Sequence, residues 1–162
     1  MMTSYALDGF AHATESLVGR AIGRGSAVQF RRTTTAAGVW ALGSALVVTA
    51  ALLFGGSWIL PLFTDIPAVL DTANAFYPWL CALPLVAVWS YQLDGVFIGA
   101  GKSRQMRDTM FVATVIVFLP CWWFTRQFDN TGVWLSLFLW FVARSLGLMV
   151  YFYNYTKNNY WL

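Results

Sequence analysis

The sequence predicts an all-α integral membrane protein of about five transmembrane helices. Three observations carry that reading. Of the 162 residues, 59% are hydrophobic and only 10% charged, against roughly 25% charged in an ordinary soluble domain, so a soluble fold would lack the polar side chains to cover its surface. Apolar stretches long enough to cross a hydrocarbon core of roughly 30 Å recur along the chain. The short connections between them alternate between basic and acidic or neutral, as the loops of a multi-pass protein do.

The first candidate span, 3–22, is rich in Ala, Leu and Val but carries Asp8, His12 and Glu15. No basic segment precedes an apolar core there, so it does not read as a cleavable signal peptide. The second, 36–63, lies in a stretch from Thr33 to Thr64 without a charged residue. The third, 73–100, is uncharged from Thr72 to Leu93 and runs on past Asp94; Pro78 and Pro84 inside it predict a kinked or partly unwound helix. The fourth, 109–125, is uncharged, and the fifth, 131–155, holds a single charge, Arg144.

The connections carry, in turn, Arg20, Arg24, Arg31 and Arg32; Asp65 and Asp71; Lys102, Arg104 and Arg107; Arg126 with Asp129; and Lys157. Placing the basic ones in the cytoplasm puts the C-terminus inside and the first residues outside. Trp58, Trp79, Trp122, Trp123, Trp134 and Trp161 fall near span ends, where an aromatic belt is expected. An odd number of spans beginning outside reads as the tail of a longer protein.

The net charge of +3 does not point to nucleic acid, because the basic residues other than Arg144 are confined to short connections and form no solvated basic face. Cys81 and Cys121 sit in apolar runs with no metal-ligand spacing around them, and read as packing residues. No Ser, His and Asp arrangement and no His pair on one helix is present, so the reading is not an enzyme, and no cofactor is expected.

The polar residues inside the spans remain. Tyr5, Asp8, His12, Glu15 and Gly19 follow steps of three and four residues and form one stripe down the first helix. Two acids at the centre of a span cost about 5–7 kcal/mol on the insertion scale, and the apolar residues of that helix return only about 1.5–3. The stripe must therefore face other helices or a water-filled cavity, where carboxylates can exchange protons or hold a cation; the alternative is a purely structural pairing inside the bundle.

Asp94 lies in the pentad Tyr91-Gln-Leu-Asp-Gly95, a near copy of Tyr5-Ala-Leu-Asp-Gly9 on a helix running the same way. Arg144 is the available counter-charge for one of these acids, read as a structural ion pair. Gly95-x-x-x-Gly99-x-Gly101 and Gly19-x-x-x-Gly23-x-Gly25 have the spacing of close helix packing followed by a helix stop.

The segments Tyr5-Ala-Leu-Asp-Gly-Phe-Ala-His-Ala-Thr-Glu-Ser-Leu-Val-Gly19 and Trp89-Ser-Tyr-Gln-Leu-Asp-Gly-Val-Phe-Ile-Gly-Ala-Gly-Lys-Ser-Arg-Gln-Met-Arg-Asp108 closely resemble the multidrug and toxic compound extrusion (MATE) transporters, in particular the DNA-damage-inducible protein F subfamily. The resemblance covers almost the whole chain. It implies a twelve-helix inner-membrane protein of two lobes, of which this chain matches helices eight to twelve, a partial C-terminal lobe without the N-terminal lobe and helix seven.

Members of that family export small organic compounds, often cationic and aromatic, in exchange for H+ or Na+. Under the resemblance Asp8, Glu15 and Asp94, with Tyr5, His12 and Tyr91 beside them, would line the cavity of the second lobe. In part of the family the acid central to coupling lies in the N-terminal lobe, so the expectation is that this chain does not transport by itself. Two other readings stay open: export of a lipid-linked or endogenous solute, and a non-transporting membrane scaffold or remnant.

Overall fold

The computed structural model describes residues 2–161, with side chains throughout except at residues 2–8, 10, 57 and 59. Of the described residues 91% are helical and none lies in a strand. Helix α1 (Met2–Gly23) is followed by α2 (Ala27–Ile59), a 3-10 turn (Leu60–Leu62) and α3 (Pro67–Gly99). Helix α4 (Ser103–Val112), a π-helical turn (Ala113–Phe118) and α5 (Leu119–Thr125) form one rod, which a 3-10 turn (Arg126–Phe128) joins to α6 (Asp129–Lys157).

Local chemistry sets these boundaries. Helix α2 starts well before its uncharged stretch because the Ser26 hydroxyl caps it, accepting the Gln29 N–H at 3.2 Å. Helices α1 and α3 end in the same way, on glycines at positive φ: Gly25 at 63° and Gly101 at 68°. At the first stop the Ser26 and Gly25 N–H groups donate to the Ala21 and Ile22 carbonyls. At the second the Lys102 and Gly101 N–H groups donate to those of Phe97 and Ile98. Both are Schellman closures, which need a residue tolerant of left-handed backbone.

The π-helical turn has a cause in Pro120, which offers no N–H to the carbonyl four residues back and whose ring would crowd it in a regular helix. One extra residue in the turn absorbs the conflict, and the Leu119 N–H reaches the Thr114 carbonyl.

Among the described residues, three helical stretches are long and apolar enough to cross a membrane: Ala27–Gly56, Pro67–Gly99 and Ser103–Lys157. The last holds 55 residues, which as one straight helix would be about 80 Å long. It folds back instead at Asp129, which adopts a φ of 49°. There the Thr125 hydroxyl donates to the Gly132 carbonyl at 3.2 Å.

Side-chain pairs fix the helix directions. Ala11 and Glu15 meet Gly95 and Gly99, so α1 and α3 run parallel. Thr49 meets Cys81 and Leu52 meets Tyr77, so α2 is antiparallel to α3. Tyr91 meets Phe141 and Asp94 meets Arg144, so α6 is parallel to α3. One end of the bundle therefore gathers Arg20, Arg24, Arg31, Lys102 and Lys157, and the other Asp65 and Asp71.

Three details depart from the expectations. Helix α3 is continuous through Pro78 and Pro84, so of a kinked or partly unwound helix the unwinding does not occur; α2 lies along it, and the Thr49 hydroxyl donates to the Cys81 carbonyl at 3.1 Å, next to the Leu80 carbonyl whose N–H partner Pro84 removes. Trp161 is not a belt residue: it is 7% exposed. The tail reverses through Asn159, whose φ is 54°, and drops the indole among Val18, Phe30, Phe97 and Phe152. Cys81 is buried, but Cys121 only half-buried.

Candidate functional site

The site begins with a backbone contact between α1 and α3. A β-carbon on Gly95 would fall on the Ala11 carbonyl, and one on Gly99 on the Glu15 carbonyl. Only glycine permits this approach, and it sets the polar stripe of α1 beside the acid of α3. On the other side of α3 lies α6, and α4 closes the space between them. The result is a cavity of about 310 Å³ lined by His12, Glu15, Tyr91, Asp94, Trp140 and Arg144, with Met106, Met110 and Phe141 as apolar wall.

At its inner side Arg144 Nη2 donates to Asp94 Oδ2 at 2.6 Å. Both residues are buried, at 5% and 7% exposure, so each charge has left water and the pair's own geometry must offset the lost hydration. The Arg144 guanidinium lies over the Trp140 ring, 5.3 Å from its centroid. The indole is fixed in turn, its N–H donating to the Thr114 hydroxyl at 2.9 Å. Arg144 Nε is buried and makes no hydrogen bond within the described protein. Tyr91 packs on Phe141, ring centroids 6.2 Å apart.

The outer side is wetter. His12 Nδ1 lies 3.5 Å from Glu15 Oε2, one turn apart on α1, with His12 largely exposed and Glu15 partly so. The arrangement thus combines a buried, paired carboxylate with an accessible imidazole–carboxylate pair, next to aromatic and thioether surface. It can accept and release protons at the open side and hold an apolar or aromatic molecule against the wall.

Of the residues singled out in the sequence, His12, Glu15, Tyr91, Asp94 and Arg144 line this one cavity. Tyr5 and Asp8 lie outside the residues whose side chains are described. Gly19 stands apart from the cavity lining, its Cα facing the Gly99 carbonyl; a β-carbon there would stand 3.4 Å from that oxygen. Among the described residues no three His, Cys, Asp or Glu side chains converge as a metal site would need.

Sequence reasoning missed Trp140, Thr114 and Thr14. Trp140 could have been found, since it precedes Arg144 by one helical turn, the spacing at which an indole and a guanidinium meet. Thr14 gave no signal: it is one residue off the stripe, yet it is buried and its hydroxyl donates to Gln92 Oε1 at 3.1 Å.

Comparison with known proteins follows the same segments. The MatE family model matches residues 1–123. The chain is 33% identical over 162 residues to the DNA damage-inducible protein F of Escherichia coli strain K12, an alignment covering 98% of this chain and 34% of that relative. It therefore spans about a third of the relative's length. No solved structure matches the chain. The family match takes in α1 and α3 with their acids and glycine contacts, and the chain belongs to the MatE family.

Proposed function

We propose that this chain is part of a secondary antiporter, a helical lobe through which organic compounds, often cationic and aromatic, leave the cell in exchange for H+ or Na+ by alternating access. The observation that supports it most is the cavity between α1, α3, α4 and α6, with Asp94 and Arg144 buried on one side and Glu15 and His12 open on the other. Ionisable groups inside a membrane bundle are costly and persist chiefly along ion and substrate paths. In this reading Glu15, His12, Asp94 and Tyr91 form the ion-coupling cavity, Tyr5 and Asp8 extend it along α1, and Arg144 is the counter-charge.

The lobe does not pump alone. On α1, His12, Ser16 and Arg20 are exposed, and hydrocarbon is a poor cover for them. Their partner in this reading is the other lobe and helix seven of a twelve-helix transporter. The protein sits in the inner membrane with its basic end and Lys157 in the cytoplasm.

The test is a chimaera in which this chain replaces the matching third of the E. coli relative, expressed in efflux-deficient cells loaded with a cationic dye. The chimaera should expel dye, Glu15→Gln in it should lose efflux while keeping its level of folded membrane protein, and the chain alone should be inactive. A folded chimaera indifferent to Glu15→Gln would remove Glu15 from the coupling path, and dye efflux by the chain alone would overturn the need for a second lobe.

A further inference from the structure

Arg144 on α6 stands against the carboxylate of Asp94, a buried acid on α3. A carboxylate in a membrane interior needs a positive charge against it, supplied by a bound cation, a proton or a side chain. At Asp94 the guanidinium supplies it, with Nη2 at 2.6 Å from Oδ2. The group is anchored as well as near: its flat face rests on Trp140, whose indole N–H is held by Thr114 in the π-helical turn. Arginine also stays protonated at every physiological pH, so its charge does not leave by proton loss as that of a lysine or histidine can.

The surroundings offer little to a competing metal ion. Hard cations are held by shells of about six or more oxygens, whereas among the described residues no three metal-ligating side chains converge. Besides Asp94 and Arg144 the cavity is lined by Trp140, Phe141, Met106 and Met110, with Tyr91, Glu15 and His12 as its other polar side chains. A cation entering at Asp94 would have to share its carboxylate with the guanidinium against like-charge repulsion, or displace a group whose Nε makes no hydrogen bond among the described residues.

We propose that Arg144 is a tethered substitute for a diffusible cation at Asp94, so that this buried acid is closed to sodium and ion exchange in the cavity falls to Glu15 and His12 on its open side. The inference rests on the transporter reading for its physiological meaning. Its test does not, because it reads ion binding and not transport.

The protein is reconstituted in lipid nanodiscs and its melting temperature followed while sodium chloride replaces choline chloride at constant ionic strength. The native protein should show no shift. Arg144→Gln should gain a sodium-dependent rise of several degrees, as a ligand that binds only the folded state produces, and Asp94→Asn combined with it should abolish the rise. A sodium-dependent rise in the native protein, or a folded Arg144→Gln protein as indifferent to sodium as the native one, would overturn the proposal.

If Arg144→Gln does not fold, Asp94→Asn alone provides the mirror test. It strands the guanidinium, which should then be stabilised by chloride relative to gluconate where the native protein is not. Equal responses to the two anions in both proteins would count against a charge pair that excludes other ions.

Discussion

The indole N–H of Trp140 on α6 donates to the hydroxyl of Thr114, 2.9 Å away in the π-helical turn that interrupts the α4–α5 rod. Through this bond an irregularity forced by Pro120 reaches the cavity, because Trp140 carries the guanidinium of Arg144 on its face. Thr114→Val keeps the shape and removes the acceptor. We expect a loss of about 0.5–1.5 kcal/mol of stability, with tryptophan emission shifted as the ring loosens, whereas Thr114→Ser should stay near the native value.

The α1–α3 contact allows a sharper test. Gly95→Ala and Gly99→Ala each drive a methyl group into a backbone carbonyl of α1, and neither helix backbone can yield without moving the other. Each should cost about 1–3 kcal/mol, the range for overpacking a close-packed site. Gly43→Ala, where a β-carbon meets nothing within 4 Å, should be neutral or slightly stabilising, since alanine favours helix over glycine. Thermal melting in detergent separates the cases.

For the buried pair, removing one partner leaves the other charged in an apolar setting. Arg144→Met should therefore cost about 3–5 kcal/mol. Replacing both, Asp94→Asn with Arg144→Met, should cost less than the sum of the single changes, a non-additivity that a double-mutant cycle by denaturant unfolding measures directly.

Trp161 joins α1, α2, α3 and α6 at the basic end, and its indole N–H donates to the Thr156 hydroxyl at 2.9 Å. Trp161→Ala should cost about 3–5 kcal/mol and speed proteolysis in the 24–26 and 100–102 turns. Trp161→Phe, which refills part of the volume, should fall between that and the native protein.

What the sequence made legible was what charge and periodicity encode. The rods follow from uncharged stretches between charged connections, and the helix stops at Gly25 and Gly101 from glycine placed beyond an apolar run. The stripe on α1 could be drawn because 3- and 4-residue steps define one helix face; the depth at which Asp94 meets Arg144 could not, since it depends on how two helices separated by fifty residues slide past each other. The burial of Trp161 was hidden for a related reason. A tryptophan near a span end suits an interfacial belt, and only the reversal at Asn159 turns it inward. Continuity of α3 through two prolines was hidden too, since each removes single ladder hydrogen bonds and neither ends the helix.

The two walls of the cavity are built differently. Between α1 and α3 the backbones themselves touch at Gly95 and Gly99, so Glu15 and Asp94 are carried on a single stiff frame. Between α3 and α6 the link beside the cavity is made by side chains, the Asp94–Arg144 ion pair and the Tyr91 and Phe141 rings. The α1–α3 spacing is therefore set by the backbone itself, and the α3–α6 spacing by which side chains stand at 91, 94, 141 and 144.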